Sequence, residues 1–343
     1  MRLTWDTVSL TTTFPFVISR WGYATHENVI VTVTDEHGMT GMGEAAPNRY
    51  YGESVESVIS ALRRFAPLLE RASPWSLEAI DTTLATTLQG NASARAAVSA
   101  ALHDLYAKQL DVPLYRLWGL EPLPVPISSY TIAIDDDDGL RRRVSAASSY
   151  PVLKIKLGTD HDEAIVRVVR EAAPDKTLRV DANAAWTPKE AVSMAAMLHE
   201  YGVESIEQPV APQDLDALRY VREHSPLPII ADESCLVAAD IPRVASACDG
   251  VNIKLAKCGS LREAMRMIHV ARAHDLRVMA GCMIETSLGI SAIAQLAPLL
   301  DDADFDGAAL LAHDPFVGVT IPNGRITLTA LPGLGVRRSD LPT

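Results

Sequence analysis

Apolar and polar positions change period along this chain. Residues 2–13 (RLTWDTVSLTTT) alternate with period two, which predicts a β-strand, and Asn28–Thr34 and Thr40–Glu44 predict two more. The turn Asp35-Glu36-His37-Gly38 joins the last two as a hairpin. From Glu53 the period lengthens. Val55, Val58, Ile59, Leu62, Phe65 and Leu69 predict a helix over 53–69, and a second follows over 76–88. The alanine-rich segment 92–109 predicts a third, whose small residues suit close packing against a neighbour. Residues 1–122 therefore read as an α+β cap, ending at the PLPVP segment of 122–126. From there the pattern becomes β-α-β-α, with strands expected near 126–132, 152–157, 178–182, 204–207, 228–232, 250–254, 276–280 and 306–311. Helices fill the gaps, among them 160–173 and 188–201, the latter opened by the N-cap Thr187 and Pro188. Eight such strands close a barrel over 123–316, and the Gly- and Pro-rich tail 317–343 is expected to return to the cap.

Composition narrows the function more than the fold. The chain has 343 residues, 48% of them hydrophobic, enough for a large core. A net charge of −12 argues against nucleic acid and anionic membrane surfaces as partners. No stretch reaches the roughly 18–20 apolar residues of a membrane span, and the N-terminus lacks the apolar core of a signal peptide. Cys235, Cys248, Cys258 and Cys282 lack zinc or CxxC spacing and read as reduced thiols, so a cytoplasmic protein is expected. The acidic run 135–138 reads as a solvated helix start. A homo-oligomer is compatible with the sequence, which does not specify one.

Chemistry enters where the barrel strands end. Lys154 and Lys156, Asp181, Glu207, Asp232 and Lys254 close successive apolar runs at steps of roughly 22 to 26 residues, about one βα unit each. Active-site groups of such barrels sit at the C-terminal ends of the strands. Three converging carboxylates on neighbouring strands stay ionised together only around a cation, and an all-oxygen set favours a hard divalent ion, most simply one Mg²⁺ per subunit. Lys154 and Lys156 are two apart and share a face. Lys254 lies four strands further round an eight-stranded ring, diametrically opposite. A carboxylate substrate held at the metal would thus have its α-carbon between two lysines, and the enediolate formed on proton loss would be stabilised by the metal and Lys154. Two bases on opposite faces permit inversion. Lys257, three residues past Lys254, is out of phase and reads as structural or outer-shell.

Taken together, Lys154-x-Lys156, Asp181-Ala182-Asn183, Glu207-Gln208-Pro209, Asp232-Glu233-Ser234 and Lys254-Leu255-x-Lys257-x-Gly259 resemble the enolase superfamily, muconate lactonizing enzyme subgroup, across the whole chain. The resemblance implies a (β/α)₇β modified TIM barrel with an α+β capping domain. It makes Asp181, Glu207 and Asp232 the Mg²⁺ ligands, Lys156 and Lys254 the acid/base pair, and Asn183 and Glu233 supporting residues. Within the subgroup, Asp304-Phe305-Asp306-Gly307 resembles the Asp-x-Asp motif with which dipeptide epimerases hold the substrate ammonium. That implies a small dipeptide substrate, with L-Ala-D/L-Glu the leading candidate. Muconate cycloisomerase, o-succinylbenzoate synthase and N-acylamino acid racemase share the enolate step and remain alternatives, as does a non-catalytic barrel. Arg20 resembles an arginine that some Ala-Glu epimerases aim at the substrate glutamate, whereas Glu27 and Glu53 would favour a cationic side chain. Met283 and Thr131 are further substrate-contact candidates, and Ile284 is expected at the pocket wall or in the packing behind it.

Overall fold

The computed structural model describes residues 1–339. Three antiparallel strands, β1 (Arg2–Val17), β2 (Gly22–Thr34) and β3 (Thr40–Ala45), form the first sheet in the order β1-β2-β3. The hairpin turn closes through Asp35 N–H donating to the Met39 carbonyl at 3.0 Å. Helices α1 (Val55–Glu70), α2 (Leu77–Thr87) and α3 (Ala92–Gln109) pack beside it. In α1 the buried stripe is Val58, Ala61, Leu62, Phe65 and Leu69, and a Ser54/Ser57 capping box starts the helix. Helix α3 is buried almost all round because its alanines let β3 approach. A Cβ at Gly41 would lie 2.0 Å from the Ala101 carbonyl oxygen, and one at Gly43 2.1 Å from that of Ala97. The alanine run and the two glycines are therefore one contact, written on two elements.

After the short helix α4 (Leu114–Leu117), the chain alternates strand and helix: β4 (Tyr130–Ile132), α5 (Asp137–Ala146), β5 (Val152–Lys156), α6 (Asp162–Ala172), β6 (Thr177–Asp181), α7 (Pro188–Glu200), β7 (Val203–Glu207), α8 (Leu215–His224), β8 (Ile229–Ala231), α9 (Ile241–Val244), β9 (Gly250–Ile253), α10 (Leu255–Cys258), α11 (Leu261–Ala273), β10 (Arg277–Gly281), α12 (Ser287–Ala294) and β11 (Asp302–Asp304). The eight strands β4–β11 pair in chain order, all parallel, and the Ser128–Ala303 bridge joins the two ends. Asp136 caps α5 through Gly139 N–H at 2.7 Å, so the acidic run is a helix start.

Two expectations shift. The first barrel strand begins at Tyr130 rather than near 126. The last is Asp302–Asp304, not 306–311, which the structure puts in a turn. An apolar run misled the reading, because here the strand itself is acidic: Asp302 is paired inside the barrel with Arg179 at 2.7 Å and Arg277 at 2.9 Å. The tail does meet the cap. Leu334 N–H donates to Asp104 Oδ1 of α3 at 2.8 Å, and Leu114 N–H to the Gly333 carbonyl at 2.9 Å; residues 340–343 of the expected tail lie outside the described residues.

Candidate active site

Parallel register places the charges. Lys156 pairs with Asp181, and Asp181 with Glu207, so three ionic side chains stand abreast at the ends of β5, β6 and β7. Asp232 follows β8 directly and Lys254 follows β9. Ligand atoms of Asp181, Glu207 and Asp232 all lie within 4.8 Å of one another, and all three residues are buried. Lys156 Nζ donates to Asp181 Oδ2 at 2.6 Å, while Lys254 Nζ donates to Asp232 Oδ2 at 2.8 Å. The two expected bases thus attach to opposite ends of the acidic arc. Lys154 Nζ lies between them in the ring of charges, donating to Glu207 at 3.2 Å and to Asp304.

The electrostatics of the cluster fit a divalent cation. Burial, and then the Asp181 charge, push Glu207 up to about 7, whereas burial of Asp232 is outweighed by Lys254 and Lys257, which hold it far below the ordinary carboxylate range. One carboxylate of three is therefore driven toward its neutral form, by burial first and by its acidic neighbours second. A divalent ion on the shared face would offset that repulsion. Buried Asn183 Oδ1 and Glu233 Oε2, beside the cluster, have no hydrogen-bond partner among the described residues. Asn183 itself donates through N–H to Asp181 Oδ1 at 2.8 Å and so orients the carboxylate.

The far wall is split rather than symmetric. Both Asp304 oxygens are engaged, by Lys154 Nζ on Oδ2 and by Ser129 Oγ at 2.6 Å on Oδ1. Asp306 accepts from Thr131 N–H at 2.5 Å through Oδ2, and burial together with the Asp304 charge pushes it up to about 7. Thr131 thus holds Asp306 as well as lining the cavity.

The mouth opens toward the cap through a cavity of about 350 Å³. Arg20 does line it, but its guanidinium is paired with Glu233 and lies 4.0 Å from the Tyr50 ring centroid. Arg49 lies over Trp21 at 4.3 Å. Met283 lines the cavity and accepts from Asn48 Nδ2 at 3.3 Å; Ile284 lines it too while 7% exposed. Of the two acids expected near the pocket, Glu53 lines it with its carboxylate tied to Ser93 at the start of α3, whereas Glu27 is exposed at the mouth.

Sequence reading passed over three contributors. Asn252 Nδ2 donates to Glu207 Oε1 at 2.7 Å, Ser129 to Asp304, and Tyr50 stacks on Arg20. Asn252 precedes Lys254 by two positions and Ser129 precedes Thr131 by two, so strand alternation already placed each on the inward face. Lys257 sits behind the arc, donating to the Asp232 and Asn252 carbonyls at 2.7 Å each and to Asp232 Oδ1.

Residues 138–340 match the family described as enolase C-terminal domain-like, and residues 3–119 match the mandelate racemase / muconate lactonizing enzyme N-terminal domain. Over 340 residues the chain is 39% identical to the L-Ala-D/L-Glu epimerase of Bacteroides thetaiotaomicron, covering 98% of this chain and 88% of that one. Its structure is similar to a substrate-liganded complex of the L-Ala-D/L-Glu epimerase from Bacillus subtilis, with a TM-score of 0.95, 32% identity and 99% of each chain covered. It is also similar to the dipeptide epimerase from Enterococcus faecalis complexed with Mg and L-Leu-L-Tyr, with a TM-score of 0.92, 31% identity and 98% of each chain covered. With both halves of the sequence matched, and with an eight-stranded barrel carrying three acids between two lysines beneath a separate cap, this chain belongs to the enolase superfamily, in its mandelate racemase / muconate lactonizing enzyme branch.

Proposed function

We propose that this protein is a magnesium-dependent dipeptide epimerase that inverts the α-carbon of the second residue. The observation that carries the reading is the attachment of Lys156 and Lys254 to opposite ends of one acidic arc, with Asp306 on the wall beyond. Asp181, Glu207 and Asp232 would hold the ion. A bound magnesium ion supplies Lewis acidity at the substrate's C-terminal carboxylate and offsets the charge that builds there.

The chain's own groups do the rest. The neutral amine of one lysine takes the α-proton, the C–H electron pair moves into the carboxylate, and the enediolate forms. The ammonium of the other lysine returns a proton to the opposite face, and the configuration inverts. Lys154 Nζ, between Glu207 and Asp304, is placed to stabilise the enediolate oxygen. Asp306, with one oxygen anchored on Thr131, accepts the substrate ammonium, an interaction that would draw its raised pKa down again.

L-Ala-D/L-Glu leads as substrate, in line with the name of the Bacteroides relative. A second reading, an apolar or aromatic second residue, is favoured by the Arg20–Glu233 pair, which occupies the arginine's charge, and by the Trp21, Tyr23 and Tyr50 rings at the mouth. Both are tested by incubating the Mg²⁺-loaded protein with a dipeptide library in D₂O. The α-hydrogen of the second residue should exchange while that centre scrambles. Exchange with no member of the library, alongside turnover of muconate or a succinylbenzoate precursor, would overturn the proposal.

A further inference from the structure

The cavity lies between cap and barrel, so its shape depends on how the cap is seated. One buried contact joins the two exactly where a substrate-lining loop leaves the barrel. Glu44, the penultimate residue of β3, is 6% exposed and its carboxylate is fully occupied by donors. Oε1 accepts from Asn28 Nδ2 at 2.7 Å and from Thr286 N–H at 3.0 Å. Oε2 accepts from Gly289 N–H at 3.0 Å and from the Thr286 hydroxyl. Thr286 is the N-cap of α12, so a cap carboxylate satisfies the first amides of a barrel helix, where a negative charge is favoured. Asn28 of β2 adds a second tie. The same Nδ2 donates to the Ile284 carbonyl at 2.8 Å. Residues 282–286 are thus pinned at Ile284 and Thr286 by two cap side chains, and Cys282, Met283 and Ile284 between β10 and α12 line the cavity.

A second acid reinforces the arrangement. Glu285 is buried beside Glu44 and accepts from Met283 N–H at 2.8 Å, which folds the loop back on itself. A Cβ placed on Gly289 would lie 2.3 Å from Glu285 Oε2 and 3.1 Å from Glu44 Oε2, so both carboxyl groups lean over a residue that must lack a side chain. Burial, and then the Glu44 charge, push Glu285 up to about 7.

We infer that Glu44 and Asn28 are positioning residues that seat the cap on the barrel and set the 282–286 loop against the substrate, without touching the reacting atoms. The inference deepens the dipeptide-epimerase reading on its kinetic side and stands apart from it on its structural side. Glu44→Gln puts an amide donor where Thr286 or Gly289 already donates, and Asn28→Ala removes the tie to Ile284 while leaving the α12 contacts of Glu44 in place.

In each variant, amide hydrogen exchange of the 282–289 segment should rise by about tenfold or more while β5–β9 keep wild-type protection. With a turned-over dipeptide, KM should rise by roughly tenfold with kcat within about threefold of wild type, and the ranking of second-residue side chains should change. Unchanged exchange at 282–289, or uniform loosening of barrel and cap, would overturn the inference, as would a fall in kcat at constant KM. Should Glu44→Gln not fold, Asn28→Ala decides alone. Should the wild type turn over no dipeptide, the dipeptide reading fails and the exchange measurement still decides the positioning role.

Discussion

Lys257 offers the sharpest test of how the acidic arc is held. Its ammonium is buried, with a side chain 0% exposed, and it serves the carbonyls of Asp232 and Asn252 at 2.7 Å each, that of Cys235 at 3.2 Å, and Asp232 Oδ1. Lys257→Met keeps the volume of the side chain and removes only the charge and the donors, so packing is little disturbed. Breaking a buried ion pair by deleting one partner costs up to about 3–5 kcal/mol, and less here because Lys254 still pairs Asp232 at 2.8 Å. Each main-chain carbonyl left unpaired adds about 1 kcal/mol or more. These losses share one side chain and do not add in full, so a destabilisation of about 4 kcal/mol is expected, a large part of the roughly 5–15 kcal/mol that holds a typical domain together. The assay is urea unfolding of wild type and variant at pH 7.5, each with and without saturating Mg²⁺. Because three of the four acceptors are main-chain oxygens, magnesium should recover only a minor share of the loss. A difference below about 1 kcal/mol, or full recovery on adding Mg²⁺, would refute the reasoning.

Other outcomes follow from the same geometry. Lys156→Ala and Lys254→Ala should each lower epimerisation by at least about a thousandfold while solvent exchange persists from one face only; equal residual activity toward both epimers would contradict opposed bases. Glu207, pushed up to about 7, is held protonated below that pH, and a cation must displace the proton. Mg²⁺ affinity measured by calorimetry should therefore weaken by up to about tenfold per unit as pH falls from 7 to 6, and level off above about pH 8; a flat profile would refute the linkage. Saturating Mg²⁺ at a thousand times its Kd should raise stability by about 4 kcal/mol, read as a higher melting temperature that EDTA abolishes. Gly43→Ala sets a Cβ 2.1 Å from the Ala97 carbonyl, a main-chain atom that cannot turn aside, and should cost about 1–3 kcal/mol in thermal unfolding.

Much of the active site was legible because strand geometry is local. The two-residue period puts Lys154 and Lys156 on one face, and the βα repeat carries Asp181, Glu207 and Asp232 to neighbouring strand ends; the parallel register then sets Lys156, Asp181 and Glu207 side by side. The same period marked Asn252 and Ser129, which were passed over because an uncharged polar residue in a strand carries no chemical signal by itself.

The position of the acidic last strand was not legible, although Asp304 and Asp306 stood out as a motif. A strand built on Asp302 and Asp304 is acceptable only once Arg179, Arg277, Lys154 and Ser129, distant in sequence, arrive to pair them. Nor could the sequence reveal that Arg20 is engaged by Glu233, 213 residues away, or that Glu53 is spent on Ser93. The chain's periodicities determined the elements, the barrel and the end of each strand where charge would gather, since those depend on backbone geometry and near neighbours. The tertiary structure alone decided which charges are already neutralised and how the cap closes on the 282–286 loop. A buried charge is acceptable only with a partner, and that partner is chosen by the fold rather than by proximity along the chain.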